Sequence, residues 1–175
     1  YILIAFVVAY GTNESGLGLP RSTMLSAVLI ASVVQLAVQF QAASYSDRHG
    51  RRGVYLAGAA LLGVWAFALF PLIDTGNFFL IVIAISGGLS FMAMQYGPQA
   101  AFYTELFSTQ VRYSGASLGY QIGAILGGAF APTIAVLLWK EFGIVYVSVY
   151  IAIAALVTIG SVYWLTETSG KDIHE

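Results

Sequence analysis

Five stretches of this sequence run for 21 to 30 residues without one Asp, Glu, Lys, Arg or His, and that segregation constrains the fold before any motif does. They are residues 22–46, 53–73, 75–104, 113–139 and 142–166, and the charges are confined to the short intervals between them. Charged residues make up 9% of the chain, against about 25% in a soluble domain. An α-helix rises roughly 1.5 Å per residue and the hydrocarbon core of a bilayer is about 30 Å thick, so about 20 residues suffice to cross it. Every stretch is long enough. Buried helices of a large soluble protein are the competing reading, and five such stretches in succession weigh against it. The expected fold is an all-α membrane protein, because only helices satisfy the backbone within a single apolar segment.

The expected spans are about 23–45, 54–73, 78–103, 113–139 and 143–165, preceded by a partial one at 1–10. That first run is apolar but covers only about 15 Å of helix. It lacks an initiator Met, a basic leader and a small-residue cleavage site, and is expected to be the end of a span. Asp74-Thr75-Gly76-Asn77 is a clear turn between spans. Orientation follows from the basic residues. Alternating connections put Arg48, Arg51, Arg52, Arg112 and Lys171 on one side and Arg21 and Lys140 on the other. The richer side, with the C-terminus, is expected in the cytoplasm. Trp139 and Trp164 fit interfacial anchors, whereas Trp65 lies mid-span as a packing residue.

Two segments carry a family resemblance. Asp47-Arg48-His49-Gly50-Arg51-Arg52 resembles the loop repeated in both halves of the major facilitator superfamily, although the glycine usual four residues before the aspartate is here Ala43. That departure suggests slightly looser helix packing. Glu105-Leu106-Phe107-Ser108-Thr109-Gln110-Val111-Arg112 and the following Tyr113-Ser114-Gly115-Ala116-Ser117-Leu118-Gly119-Tyr120-Gln121 are similar to the metabolite:proton symporter family, which usually has proline where Ser108 stands. Members of that family carry shikimate, oxoglutarate, citrate, or proline and betaine. The resemblance covers essentially residues 1–175 as a six-helix bundle with a truncated first span, the C-terminal half (spans seven to twelve) of a twelve-span transporter. It implies a bacterial inner (plasma) membrane location, a missing N-terminal six-span half as partner, and a proton gradient as energy source.

The loop residues have a physical reading of their own. Gly50 permits a sharp turn between antiparallel helices. Asp47 suits a helix N-terminus or a basic partner. Arg48, Arg51 and Arg52 suit carboxylates or helix C-termini; alternatively they serve as topology signals and lipid-headgroup contacts. The resemblance implies that such loops latch the cytoplasmic side shut, with Glu105 and Arg112 in the same latch. One loop arginine is expected to meet Glu105, while Asp47 and Arg112 are expected to meet the missing half. In the fifth span Gly115, Gly119, Gly123 and Gly127 recur every four residues, a stripe that lets helices approach closely in lipid. Flexibility is the competing reading. The resemblance makes the stripe's partner the second span of the missing half.

Amides and hydroxyls inside the spans are few. An unpaired amide in hydrocarbon costs several kcal/mol, so each is expected to face a cavity or another polar group. The substrate-path candidates are Tyr96, Gln99, Tyr120 and Gln121, with Gln35 and Gln39, which suit interhelical hydrogen bonding equally well. Pro98 and the pair Gly87-Gly88 are expected to weaken the fourth span, as in the broken helices of transporter sites. No ionisable group lies at membrane depth, so the proton-coupling residue and any counter-ion for a charged substrate are expected from the missing half. No nucleophile–base pair, metal-ligand spacing or phosphate loop is present, so an enzyme, a metal site, a cofactor and a nucleic-acid partner are not expected. The reading is a half-transporter for a small metabolite. A truncated membrane protein without transport activity and a uniporter or sugar-type facilitator half are the alternatives.

Overall fold

A computed structural model describes residues 1–105 and 110–164, and of Arg112 the backbone alone. The described residues form six helical segments joined by tight turns. Helix α1 covers Ile2–Thr12, with a π-helical first part at Ile2–Phe6. Helices α2 (Arg21–His49), α3 (Arg51–Asp74) and α4 (Phe78–Glu105) follow. Helix α5 runs as Arg112–Ile125, passes through a π-helical stretch at Leu126–Phe130, and ends as Ala131–Phe142. Helix α6 spans Ile144–Tyr163. Five of these are long and apolar enough to cross a membrane, one for each uncharged stretch. Residue 165, the last residue of the expected spans, the tail after it and residues 106–109 lie outside the described residues.

The turns form where local chemistry demands them. Gly50 has φ of 101°, a conformation that a Cβ would strain, and it ends α2 and starts α3 in one residue. At the Asp74–Asn77 turn the Asn77 side-chain oxygen accepts the Phe79 amide at 2.9 Å and so caps α4.

The core sits at one end of the bundle. Phe6, Tyr10, Phe70 and Trp139 pack edge to face, with Tyr10 and Trp139 centroids 5.1 Å apart. The Tyr10 hydroxyl donates to Asp74 Oδ1 at 2.6 Å. Trp139, expected at the membrane interface, is partly buried against this cluster, and Trp164 is exposed. Trp65 is mid-span packing, as expected: its indole N–H donates to the Ala84 carbonyl at 2.9 Å. Buried Ser148 donates to the Ala66 carbonyl at 2.7 Å and ties α6 to α3.

Two packing expectations need correction. Ala43 does not loosen its helix contact, because the space is supplied from the other side. A Cβ on Gly97 would lie 2.9 Å from the Ala43 amide nitrogen and 3.0 Å from the Gln39 carbonyl oxygen. The glycine that lets α2 and α4 meet is on α4. Nor do Gly87 and Gly88 break α4, which runs unbroken past them and past Pro98. They make room for the Trp65 ring, only 2.5 Å from where a Gly87 Cβ would stand, and for Leu3. Apart from the start of α1, the departure from α geometry falls in α5, just before Pro132. Proline has no amide proton, so the carbonyl four residues back loses its usual donor. A π turn shifts the bonding by one residue around that gap.

Candidate functional site: a polar cavity and a basic loop

A cavity of about 450 Å³ opens between α2, α4 and the first part of α5. Its wall carries Gln39 from α2, Tyr96, Gln99, Tyr103 and Thr104 from α4, and Ser117, Tyr120 and Gln121 from α5. Five of the six substrate-path candidates thus meet at one surface. Gln35 is not among the lining residues. Gln35 shares that face of α2 but stands about 6 Å farther along the helix, one turn away from Gln39. Thr104 and Tyr103 line the cavity without having been singled out as candidates; their spacing from Gln99 and Tyr96 along α4 carries that signal. Among the described residues the wall offers hydroxyl and amide donors and acceptors and no carboxylate, imidazole, amine or guanidinium. It suits a neutral polar group or the uncharged part of a larger solute.

A narrower crevice of about 270 Å³ adjoins it, sharing Tyr96, Gln99, Tyr103 and Tyr120. Its far wall is Gly119, Gly123 and Gly127, with Tyr1 across from them. A Cβ at any of these three glycines would meet nothing within 4 Å. Among the described residues, Gly119, Gly123 and Gly127 therefore pack against no other helix, and all three border the polar crevice. In α5 as a whole only 6% of the membrane-length window is buried, the smallest share of any span.

The basic loop closes the end of α2, α3 and α4 near the cavity. Arg51 donates from Nε to both Glu105 oxygens, at 2.8 and 2.9 Å, and from Nη1 to Asp47 at 2.8 Å. One guanidinium joins three helices. The expected arginine–Glu105 contact is present, made by Arg51. Asp47 does not cap a helix N-terminus but has the expected basic partner: it lies in the last turn of α2 and accepts from Arg51 four residues on. Arg52 turns the other way. It donates to the Tyr163 carbonyl at the end of α6 and lies 5.2 Å from the Tyr163 ring centroid. A cation belongs at a helix C-terminus, where the unpaired carbonyls concentrate negative charge. The Arg112 side chain lies outside the described residues.

A helical bundle with five membrane-length spans is that of a multi-pass membrane protein, and this one carries a polar cavity walled by amides and hydroxyls. The chain belongs to the Major Facilitator Superfamily, whose profile matches residues 1–174. Among its relatives is a putative metabolite transport protein of Haemophilus influenzae, 33% identical over all of this chain and 42% of its own length. An inner membrane metabolite transport protein of Escherichia coli is 36% identical over 99% of this chain and 40% of its own. The shikimate transporter of the same organism is 35% identical over 81% and 32%. The chain thus spans about two fifths of the length of the first two. No solved structure matches it significantly.

Proposed function

We propose that this chain is the C-terminal bundle of a proton-coupled metabolite symporter that works by alternating access. The observation that carries the reading is the cavity: Gln39, Tyr96, Gln99, Tyr120 and Gln121, from three different helices, converge on one 450 Å³ space in an otherwise apolar bundle. Secondary transporters bind solute at the interface of two such bundles and rock one against the other. The other bundle, by this reading, covers the open side of the cavity and the bare face of α5. It also supplies the acids or bases that couple protons, since the described residues of this wall include no carboxylate, imidazole, amine or guanidinium. Shikimate and the proline/betaine pair, for which relatives are named, form the first panel of solutes to try.

Arg51, Asp47 and Glu105 form the gate in this account, and Gln121 belongs to the site. In the complete transporter Asp47→Asn is expected to shift the balance between inward- and outward-facing states, because it removes a charge from the Arg51 junction and touches no cavity residue. Gln121→Ala is expected to raise the apparent substrate constant a few-fold, the worth of one hydrogen bond at roughly 0.5–1.5 kcal/mol. Accessibility of a cysteine near the gate follows the first effect, and substrate titration the second. An exchange of the two outcomes would reverse the roles of gate and site.

Orientation is tested independently. The basic residues, five against two, support a topology with the Asp47–Arg52 loop in the cytoplasm and the Asn77 turn outside. Single cysteines at His49 and Asn77, in a chain that has none, are expected to react with an impermeant reagent from opposite sides of intact cells. Reaction of both from outside rejects this topology.

A further inference from the structure

The three loop arginines separate by partner. Arg51 is held by Asp47 and Glu105, and Arg52 by the end of α6, whereas Arg48 makes no hydrogen bond or ion pair with any described residue. The acid beside it, Asp47, is already engaged by Arg51. Arg48 instead borders a shallow hollow of about 430 Å³ along the last turns of α2, with Phe40, Gln41, Ser44, Tyr45 and His49. The Tyr45 and His49 rings stack at 4.1 Å, with the His49 Nδ1 3.2 Å from the Tyr45 carbonyl, so one wall of the hollow is held in place.

Its position on α2 says what it faces. Gln39 lines the polar cavity, and Arg48 follows nine residues later. At about 100° per residue, nine residues put it about 180° round the helix. The hollow therefore lies on the side of α2 away from the cavity, and away from a bundle that covers the cavity. Beside it, Leu29, Val33, Leu36 and Phe40 form an exposed apolar stripe that runs toward the loop and ends at Ser44 and Arg48. Apolar side chains over the length of the hydrocarbon, followed by hydroxyl, amide and guanidinium groups at the helix end, match an acyl chain followed by its phosphate.

We infer that this hollow is a binding site for the phosphate headgroup of an anionic phospholipid, held by Arg48 with Ser44, Tyr45 and His49 around it. A free phosphate ion shares the headgroup chemistry, but the adjoining apolar stripe favours the lipid. A cation at a membrane surface is worth about fivefold in affinity for anionic lipid. The whole 175-residue chain, purified in detergent and titrated with phosphatidylglycerol or phosphatidylcholine, is expected to retain about fivefold more of the anionic lipid in native mass spectrometry. Arg48→Gln is expected to bring the two lipids level, Arg48→Lys to keep most of the preference, and Arg21→Gln at the opposite end of α2 to change nothing. Circular dichroism of each variant separates loss of the site from loss of fold. Equal retention by wild type and Arg48→Gln overturns the inference, as does displacement of the lipid by millimolar inorganic phosphate. The complete transporter is expected to show the same dependence on Arg48. If only the isolated chain shows it, the other bundle covers the hollow and the inference fails.

Discussion

Gly97→Val is expected to separate α2 from α4 and to lower the stability of the bundle by about 1–3 kcal/mol or more, the range for overfilling a packed contact. The first added carbon already stands 2.9 Å from the Ala43 nitrogen, 3.0 Å from the Gln39 carbonyl oxygen and 3.3 Å from the Ala42 Cβ. Two of those three atoms are backbone, so no rotamer change relieves the clash. Gly123→Ala is the matched control. Nothing lies within 4 Å of its Cβ position, and alanine favours the helix by up to about 1 kcal/mol. Thermal unfolding in detergent is expected to move in opposite directions for the two variants of the isolated chain. In the complete transporter Gly123→Ala turns costly if the other bundle covers that face.

Arg51→Gln is expected to destabilise the loop end of the bundle by about 2–3 kcal/mol, more than any other substitution in the basic loop. Its guanidinium and the Glu105 carboxylate are mostly buried, at 17% and 18% side-chain exposure, so solvent screens the pair only in part. Arg51→Lys keeps the charge and loses the fork that reaches both Glu105 oxygens and Asp47 together. It is expected to recover part of the loss. Limited proteolysis near residue 50, read beside the melting curve, reports whether the junction of α2, α3 and α4 has opened. Equal stability of Arg51→Gln and Arg48→Gln would contradict the division of partners among the arginines.

The spans were legible because charge is so expensive in hydrocarbon that its absence marks each one. The turns at Gly50 and Asp74–Asn77 were legible because local residue chemistry sets them. Contacts between helices were less so. Nothing near Ala43 in the sequence announces that Gly97, more than fifty residues away, supplies its missing space. Gln35 and Gln39 look equivalent as a pair one turn apart, yet only Gln39 lines the cavity. Arg48, Arg51 and Arg52 look interchangeable until helix phase and the Gly50 turn send each to a different neighbour. The π turn in α5 had a signal, Gly127-Gly128 ahead of Pro132, that the regular glycine spacing masked.

The central claim is that this bundle forms one wall of a transport path whose other wall comes from a second bundle. Uptake by proteoliposomes under an imposed proton gradient tests it most directly, with shikimate, proline and betaine as labelled solutes. A complete transporter that contains this chain as its C-terminal bundle is expected to accumulate at least one of them and to lose that accumulation with an uncoupler. The 175-residue chain alone is expected to match empty vesicles, because one bundle supplies one wall of the path and the described residues of that wall carry no charge. Uncoupler-sensitive accumulation by the chain alone would contradict the account.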